Sequence, residues 1–181
     1  ANDAMILTIN SLPSGVPTIT GPQVVCAGET GVIYSVIPPV LNASNYNWVL
    51  PSGASIVSGA NTSTITVDFG IGSTSGNISV TPSNDCGNGS TGTLAVTVNP
   101  AAPDAGSITG PDEICINSTG VQYSVAAVTG ATDYQWTVPA GATITSGNGT
   151  NSILVDYTGT AVSGNITVSI TNSCGTGLPS S

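Results

Sequence analysis

One stretch of this chain occurs twice, and that fact restricts the possible folds more than any other. GPQVVC at 21–26 is followed by GVIYSV at 31–36, YNWVLPSGA at 46–54, TITVDFG at 64–70 and SGNISV at 75–80. The same succession returns as GPDEIC at 110–115, GVQYSV at 120–125, YQWTVPAGA at 134–142, SILVDY at 152–157 and SGNITV at 163–168. The first cysteines of the copies lie 89 residues apart (115 − 26) and the second ones 88 (174 − 86), one residue being lost before Tyr134. A period of this size is a tandem repeat in which each copy is large enough to bury its own core.

Within a copy the apolar residues alternate with polar ones. Val32, Tyr34 and Val36 share one face, as do Tyr46, Trp48 and Leu50, then Ile65, Val67 and Phe69, then Ile78 and Val80. The second copy keeps the register with Val121, Tyr123, Val125, Tyr134, Trp136, Val138, Ile153, Val155, Tyr157, Ile166 and Val168, while the outward residues differ. A period of two marks half-buried strands, and Gly, Pro, Asn and Ser clusters between them supply turns. Seven strands are expected in the first copy, at 24–26, 32–36, 46–50, 55–58, 64–69, 77–81 and 94–98. The fold class is all-β: tandem immunoglobulin-like β-sandwich repeats.

Residues 1–10 alternate at Met5, Leu7 and Ile9, and the same pattern returns 89 residues later at Leu94, Val96 and Val98. They read as the last strand of a preceding repeat. The expected domains are therefore this strand at 1–10, one sandwich at 11–99 and a second at 100–181 whose own last strand lies beyond the window. A segment cut out of phase from a longer array explains this most simply. The sharper alternative is a head-to-tail polymer in which the spare strand completes another molecule. Connections 10–22 and 99–111 each hold three prolines and read as short semi-rigid spacers.

Four cysteines allow three pairings, and the repeat favours one bridge per copy, Cys26 with Cys86 and Cys115 with Cys174. Such a bridge would tie the turn before the second strand to the sixth-to-seventh strand loop at one end of the sandwich. On the chain-entropy model it would contribute about 4 kcal/mol. Widely spaced pairs without CxxC or histidine suit an oxidised, extracellular protein.

Composition excludes several partners. Lys, Arg and His are absent against nine acidic residues, a formal charge of −9. Nucleic acid and anionic lipid are bound chiefly through cations, so neither is expected. No apolar run approaches the length of a bilayer span, so no membrane insertion is expected in this segment, and the N-terminus lacks the features of a signal peptide.

The ordered set GP…C…YSV…YxWxxPxGA…IxVD[FY]…SGNI[ST]V…NxCG…VxVN resembles the PKD-like, immunoglobulin-like repeats of very large secreted proteins of the Bacteroidota, and covers nearly all of both copies. The resemblance implies export by the type IX secretion route and a place in the stalks of cell-surface proteins such as gliding adhesins. It also allows an accessory module beside a secreted hydrolase. It supplies no catalytic residues.

The residues themselves offer little chemistry. A serine nucleophile would lack its base, and of the nine acids only Asp68 and Asp156 occupy matching positions, each alone in its copy. The chain is read as no enzyme and as needing no cofactor. Calcium is the one metal considered, with Asp68 and Asp156 as outward candidates at matching strand ends and Asp104, which has no acidic counterpart in the first connection, ranked below them. The plainer reading is that these aspartates blunt a sheet edge. Trp48, Trp136, Tyr34 and Tyr123 could stack on sugars, but their parity places them in the core. The expected function is a non-catalytic, disulfide-stapled stalk segment of a secreted cell-surface adhesin or filament involved in gliding or adhesion. Its partners would be neighbouring repeats, with surface polysaccharide or other cells met through a distal tip.

Overall fold

The computed structural model describes residues 9–181, so the reading of residues 1–10 as a strand falls almost wholly outside the described part. The chain forms two compact units that divide between Pro100 and Ala101. All regular structure among the described residues is β.

The first unit contains nine strands: β1 (Ile19–Thr20), β2 (Val24–Cys26), β3 (Val32–Val36), β4 (Asn45–Val49), β5 (Ala54–Ser58), β6 (Thr64–Phe69), β7 (Gly76–Asn84), β8 (Gly87–Asn88) and β9 (Gly92–Asn99). One sheet runs β1-β3-β6-β5 and the other β2-β9-β7-β4, with β8 hairpinned onto β7. The alternation seen in the sequence fills the space between them. Tyr34, Ile65, Val67 and Phe69 from one sheet meet Trp48, Ile78, Val80 and Val96 from the other, and all are buried. Leu50, expected in the core, packs against it only half-buried. Two short strands escaped the sequence reading: β1 pairs with the end of β3, and β8 closes the turn around Cys86.

The second unit repeats this plan with β10 (Val121–Ser124), β11 (Asp133–Thr137), β12 (Ala142–Ser146), β13 (Ser152–Tyr157), β14 (Thr167–Asn172) and β15 (Gly175–Thr176). Its sheets run β10-β13-β12 and β11-β14-β15 around a core of Tyr123, Tyr134, Trp136, Ile153, Val155, Val168 and Ile170. Both units carry the same bulge, between Ile56 and Ser58 and between Ile144 and Ser146. The fold is thus a tandem pair of immunoglobulin-like β-sandwiches.

The repeated motifs have local causes. In each GP pair the glycine lies on a tyrosine ring: a Cβ on Gly21 would sit 2.3 Å from Tyr34 Cδ1, and one on Gly110 2.3 Å from Tyr123 Cδ1. The following proline carbonyl accepts the phenol, Tyr34 Oη to Pro22 O at 2.9 Å and Tyr123 Oη to Pro111 O at 3.2 Å. Only glycine permits that approach, which ties the GP motif to the tyrosine of YSV.

The connection into the first unit is packed rather than loose. Asn84 Nδ2 donates to Ser11 O at 2.7 Å and Asn42 O at 2.8 Å, and Ser14 bridges to Leu41. In the second unit Ala105 of the matching connection is buried.

Candidate functional site

The cysteines do not pair as the repeat suggested. Cys86 and Cys115 are free and exposed, whereas Cys26 and Cys174 are disulfide-bonded. Neither the Cys26–Cys86 nor the Cys115–Cys174 bridge forms. The reason is strand direction. β2 runs parallel to β9, so Cys26 lies opposite Asn99 at the far end of that strand. Cys86 sits in the β7–β8 turn, before β9 begins. Seven residue steps of extended chain span about 23 Å, far beyond the 7 Å limit on Cα separation in a disulfide. The two cysteines of the first copy occupy opposite ends of its sandwich.

Cys86 lies where the chain enters the first unit. Its Sγ donates to Asn10 O at 3.5 Å, its amide donates to Asn84 Oδ1 at 2.9 Å, and Ser11, Asn42 and Ser44 complete a small polar pocket of about 240 Å³ around it. Cys174 in the second unit has the matching amide bond to Asn172 Oδ1, at 2.7 Å.

Asp68 and Asp156 have the same task in their repeats. Each accepts a loop amide, Gly31 N–H on Asp68 Oδ1 and Gly120 N–H on Asp156 Oδ1, both at 2.7 Å. These bonds fix the turn that leads into β3 and β10. Among the described residues no three acidic or cysteine side chains come together as a metal site would need. The sequence reading missed this cap; the clue is that the glycine before VxYSV and the aspartate of IxVD recur together.

The aromatic candidates are core residues. Tyr34, Trp48, Tyr123 and Trp136 are all buried. Trp48 Nε1 donates to Thr62 O at 2.9 Å and Trp136 Nε1 to Thr150 O at 2.8 Å, so each indole is satisfied inside its sandwich and offers no face to a sugar. Burial pushes the Tyr34 phenol up to about 12, with the Glu29 carboxylate adding to the effect. Burial likewise raises Tyr157, whose hydroxyl donates to Tyr123 Oη at 3.0 Å.

A concave feature lies in the second unit: a groove of about 760 Å³ lined by Ile108, Ile114, Tyr123, Tyr157 and Ile166, with Cys115 at its side. It occupies the position that β9 fills in the first unit. There β9 lies between β2 and β7. Here residues 113–115 and 164–166, the counterparts of β2 and of the start of β7, form no ladder.

The PKD-like domain model matches twice, over residues 12–96 and 100–181. The chain belongs to the PKD-like domain family. A search among curated proteins found no match. Solved structures with similar folds include an I-band fragment of titin, at 13% identity over 91% of this chain and 63% of that one, with a TM-score of 0.39. The human desmocollin-1 ectodomain matches at 16% identity over 96% of this chain and 36% of its own, TM-score 0.38. FdeC, described as an Escherichia coli adhesin, matches at 15% identity over 94% and 64%, TM-score 0.34. This PKD-like chain spans less than two thirds of the length of each of them. PKD-like sandwiches of this kind are typical of non-catalytic structural modules, and together with a disulfide they are typical of extracellular proteins.

Proposed function

We propose that this chain is a stalk segment of a secreted, surface-attached protein, in which PKD-like sandwiches act as semi-rigid spacers and hold an adhesive tip away from the cell. The observation that carries this reading is the packing of the connections. Residues 10–17 are held against the unit they enter by the Asn84 bonds and the Ser14–Leu41 bridge, and a Cβ on Gly92 would strike Pro17 O at 2.2 Å. A connection fixed along a sandwich edge has little freedom to bend. The absence of Lys and Arg from the chain removes every trypsin site, which suits an exposed stalk. Export by the type IX route and a role in gliding rest on the Bacteroidota-like motif set.

The test is electron cryotomography of intact cells labelled with antibody raised against this chain. Label spaced along thin filaments that project from the outer membrane is the expected result. Label confined to a compact protein in the medium would overturn the stalk and favour an accessory module of a secreted hydrolase.

A further inference from the structure

We infer that Asn148 is a self-modification site, which cyclises onto the amide of Gly149 and opens to isoaspartate, and that the change displaces the carbonyl that holds the Trp136 indole.

An Asn-Gly pair occurs twice in the chain, at Asn88–Gly89 and at Asn148–Gly149. Such a pair is reactive because glycine has no Cβ to shield its nitrogen from the carboxamide beside it, and leaves the joining peptide free to rotate. The fold treats the two pairs differently. Asn88 is paired with Ser83 in the β7–β8 hairpin, and Gly89 donates its amide to Pro82 O at 2.8 Å. A Cβ on Gly89 would lie 2.9 Å from Pro13 O, so that side of the peptide is also closed. The Gly89 nitrogen is engaged and held.

Asn148 and Gly149 are instead the central residues of the turn between β12 and β13, closed by Thr150 N–H on Gly147 O at 2.9 Å. Gly149, at φ +83°, takes the place in the turn that requires positive φ. Asn148 is exposed. Among the described residues neither the Asn148 carbonyl nor the Gly149 amide has a hydrogen-bond partner. The peptide between them can therefore rotate about the Asn148 Cα–C bond, which carries the Gly149 nitrogen within reach of the carboxamide. The first unit has the same turn, closed by Thr62 N–H on Gly59 O at 2.9 Å, with Ala60 in the place of Asn148.

The reaction consumes only water. Solvent hydroxide takes the Gly149 amide proton, the nitrogen attacks Asn148 Cγ, and the bond from Cγ to the departing ammonia breaks. Water then opens the cyclic imide. Opening at the main-chain carbonyl gives isoaspartate, and opening at Cγ gives aspartate. Isoaspartate lengthens the main chain by one carbon just before two acceptors. Gly149 O receives the Tyr134 amide at 3.3 Å, and Thr150 O receives the Trp136 indole at 2.8 Å. The product also adds a carboxylate next to the glycine that borders Asp133, whose Oδ1 would lie 3.0 Å from a Gly149 Cβ. With no Lys, Arg or His in the chain, nothing offsets that charge.

The experiment incubates the folded chain in mildly alkaline buffer, digests it with chymotrypsin and follows both Asn-Gly peptides by mass spectrometry. Electron-transfer fragmentation separates isoaspartate from aspartate. Asn148 should convert more than about tenfold faster than Asn88, with isoaspartate as the main product, because Asn88 reacts only when its hairpin opens. In denaturant the two rates should come together. In a Trp48→Phe background the emission of Trp136 should drift at the rate of conversion. Asn148→Ala, which matches the first unit, should fold and abolish the drift. No conversion at Asn148, equal rates in the folded chain, or a gap that persists in denaturant would overturn the site. A drift unaltered by Asn148→Ala would overturn its effect on Trp136.

Discussion

The two sandwiches carry one pattern, yet the segment that opens each of them has a different fate. In the first, Val24–Cys26 form a strand with Val25 at 2% exposure, and Ala27 just after it is 8% exposed. In the second, Ile114 is 38% exposed and Ile116 60%, and no strand forms at residues 113–115. Both segments hold a strand-favouring β-branched residue at the matching position, Val25 and Ile114, so propensity at that position does not separate them. The difference is the neighbour. Three residues cannot hold an extended conformation without a ladder, and in the first unit β9 provides it. Strand formation at a sheet edge is thus a property of the pair and not of the segment.

The most damaging way to probe that difference is to remove β9 as a partner. Val96 is 3% exposed in the first core, and Val96→Asp would bury a charge with no cation anywhere in the chain to meet it. The first unit should lose at least about 3 kcal/mol, while the second is untouched. Each unit holds one tryptophan, Trp48 or Trp136, so Trp→Phe backgrounds report the two unfolding transitions separately by fluorescence. Equal losses in both units would show that β9 is not the cause of the contrast.

A smaller effect separates the two GP motifs. Gly21→Ala and Gly110→Ala bring the same Cβ against the same tyrosine carbon, at 2.3 Å in each case. Tyr34 is fully buried and meets Phe69 edge-on, with centroids 6.4 Å apart. Tyr123 borders the groove and has room to shift. Gly21→Ala should therefore cost about 2–3 kcal/mol and Gly110→Ala about half of that, as overpacking costs follow the ability of a site to relax. Denaturant melts of the two variants would measure it, and a larger loss in the second unit would contradict the argument.

The core was legible in the sequence because alternation alone fixes which side chains face inward, and Tyr34, Trp48, Val67 and their counterparts are buried accordingly. The cysteine pairing was not. Sequence places Cys26 beside a short strand and Cys86 beside a turn, but it does not give the direction in which β2 meets β9. Antiparallel pairing would have brought Cys26 toward Gly92 and the Cys86 turn; parallel pairing takes it to Asn99. The role of Asp68 and Asp156 was hidden for a similar reason. An outward carboxylate looks free until the loop amide of a residue more than thirty positions away is found on it.

Truncating the floor of each edge gives the next contrast. Val25→Ala removes apolar volume from a closed site and should destabilise the first unit by about 1–2 kcal/mol. Ile114→Ala removes more carbon from an open one and should cost less than about 0.5 kcal/mol. Reducing conditions keep the free thiols from confusing the melts. If Ile114→Ala proved the costlier, Ile114 would have to be buried in solution.

The smallest contrast is in alkali. The first core has Phe69 where the second has Tyr157, so only the second buries a phenol bonded to another phenol, Tyr157 Oη to Tyr123 Oη. Burial raises Tyr157 above its ordinary value of 10, and raises Tyr34 in the first unit to about 12. A phenol that stays protonated in the fold but ionises in the unfolded chain contributes its full stability below pH 10. Above that the unfolded state binds fewer protons, so stability falls with rising pH. For the first unit the fall should run from about pH 10 to about 12, the ordinary and folded values of Tyr34. For the second it should continue to higher pH, because the Tyr157 phenol is held neutral both by burial and by its bond to Tyr123. Tyr157→Phe gives the second unit the residue of the first and should shorten its alkaline limb. Tryptophan-resolved melts at stepped pH would show this, and an unchanged limb in Tyr157→Phe would mean that the paired hydroxyls are not what alkali attacks.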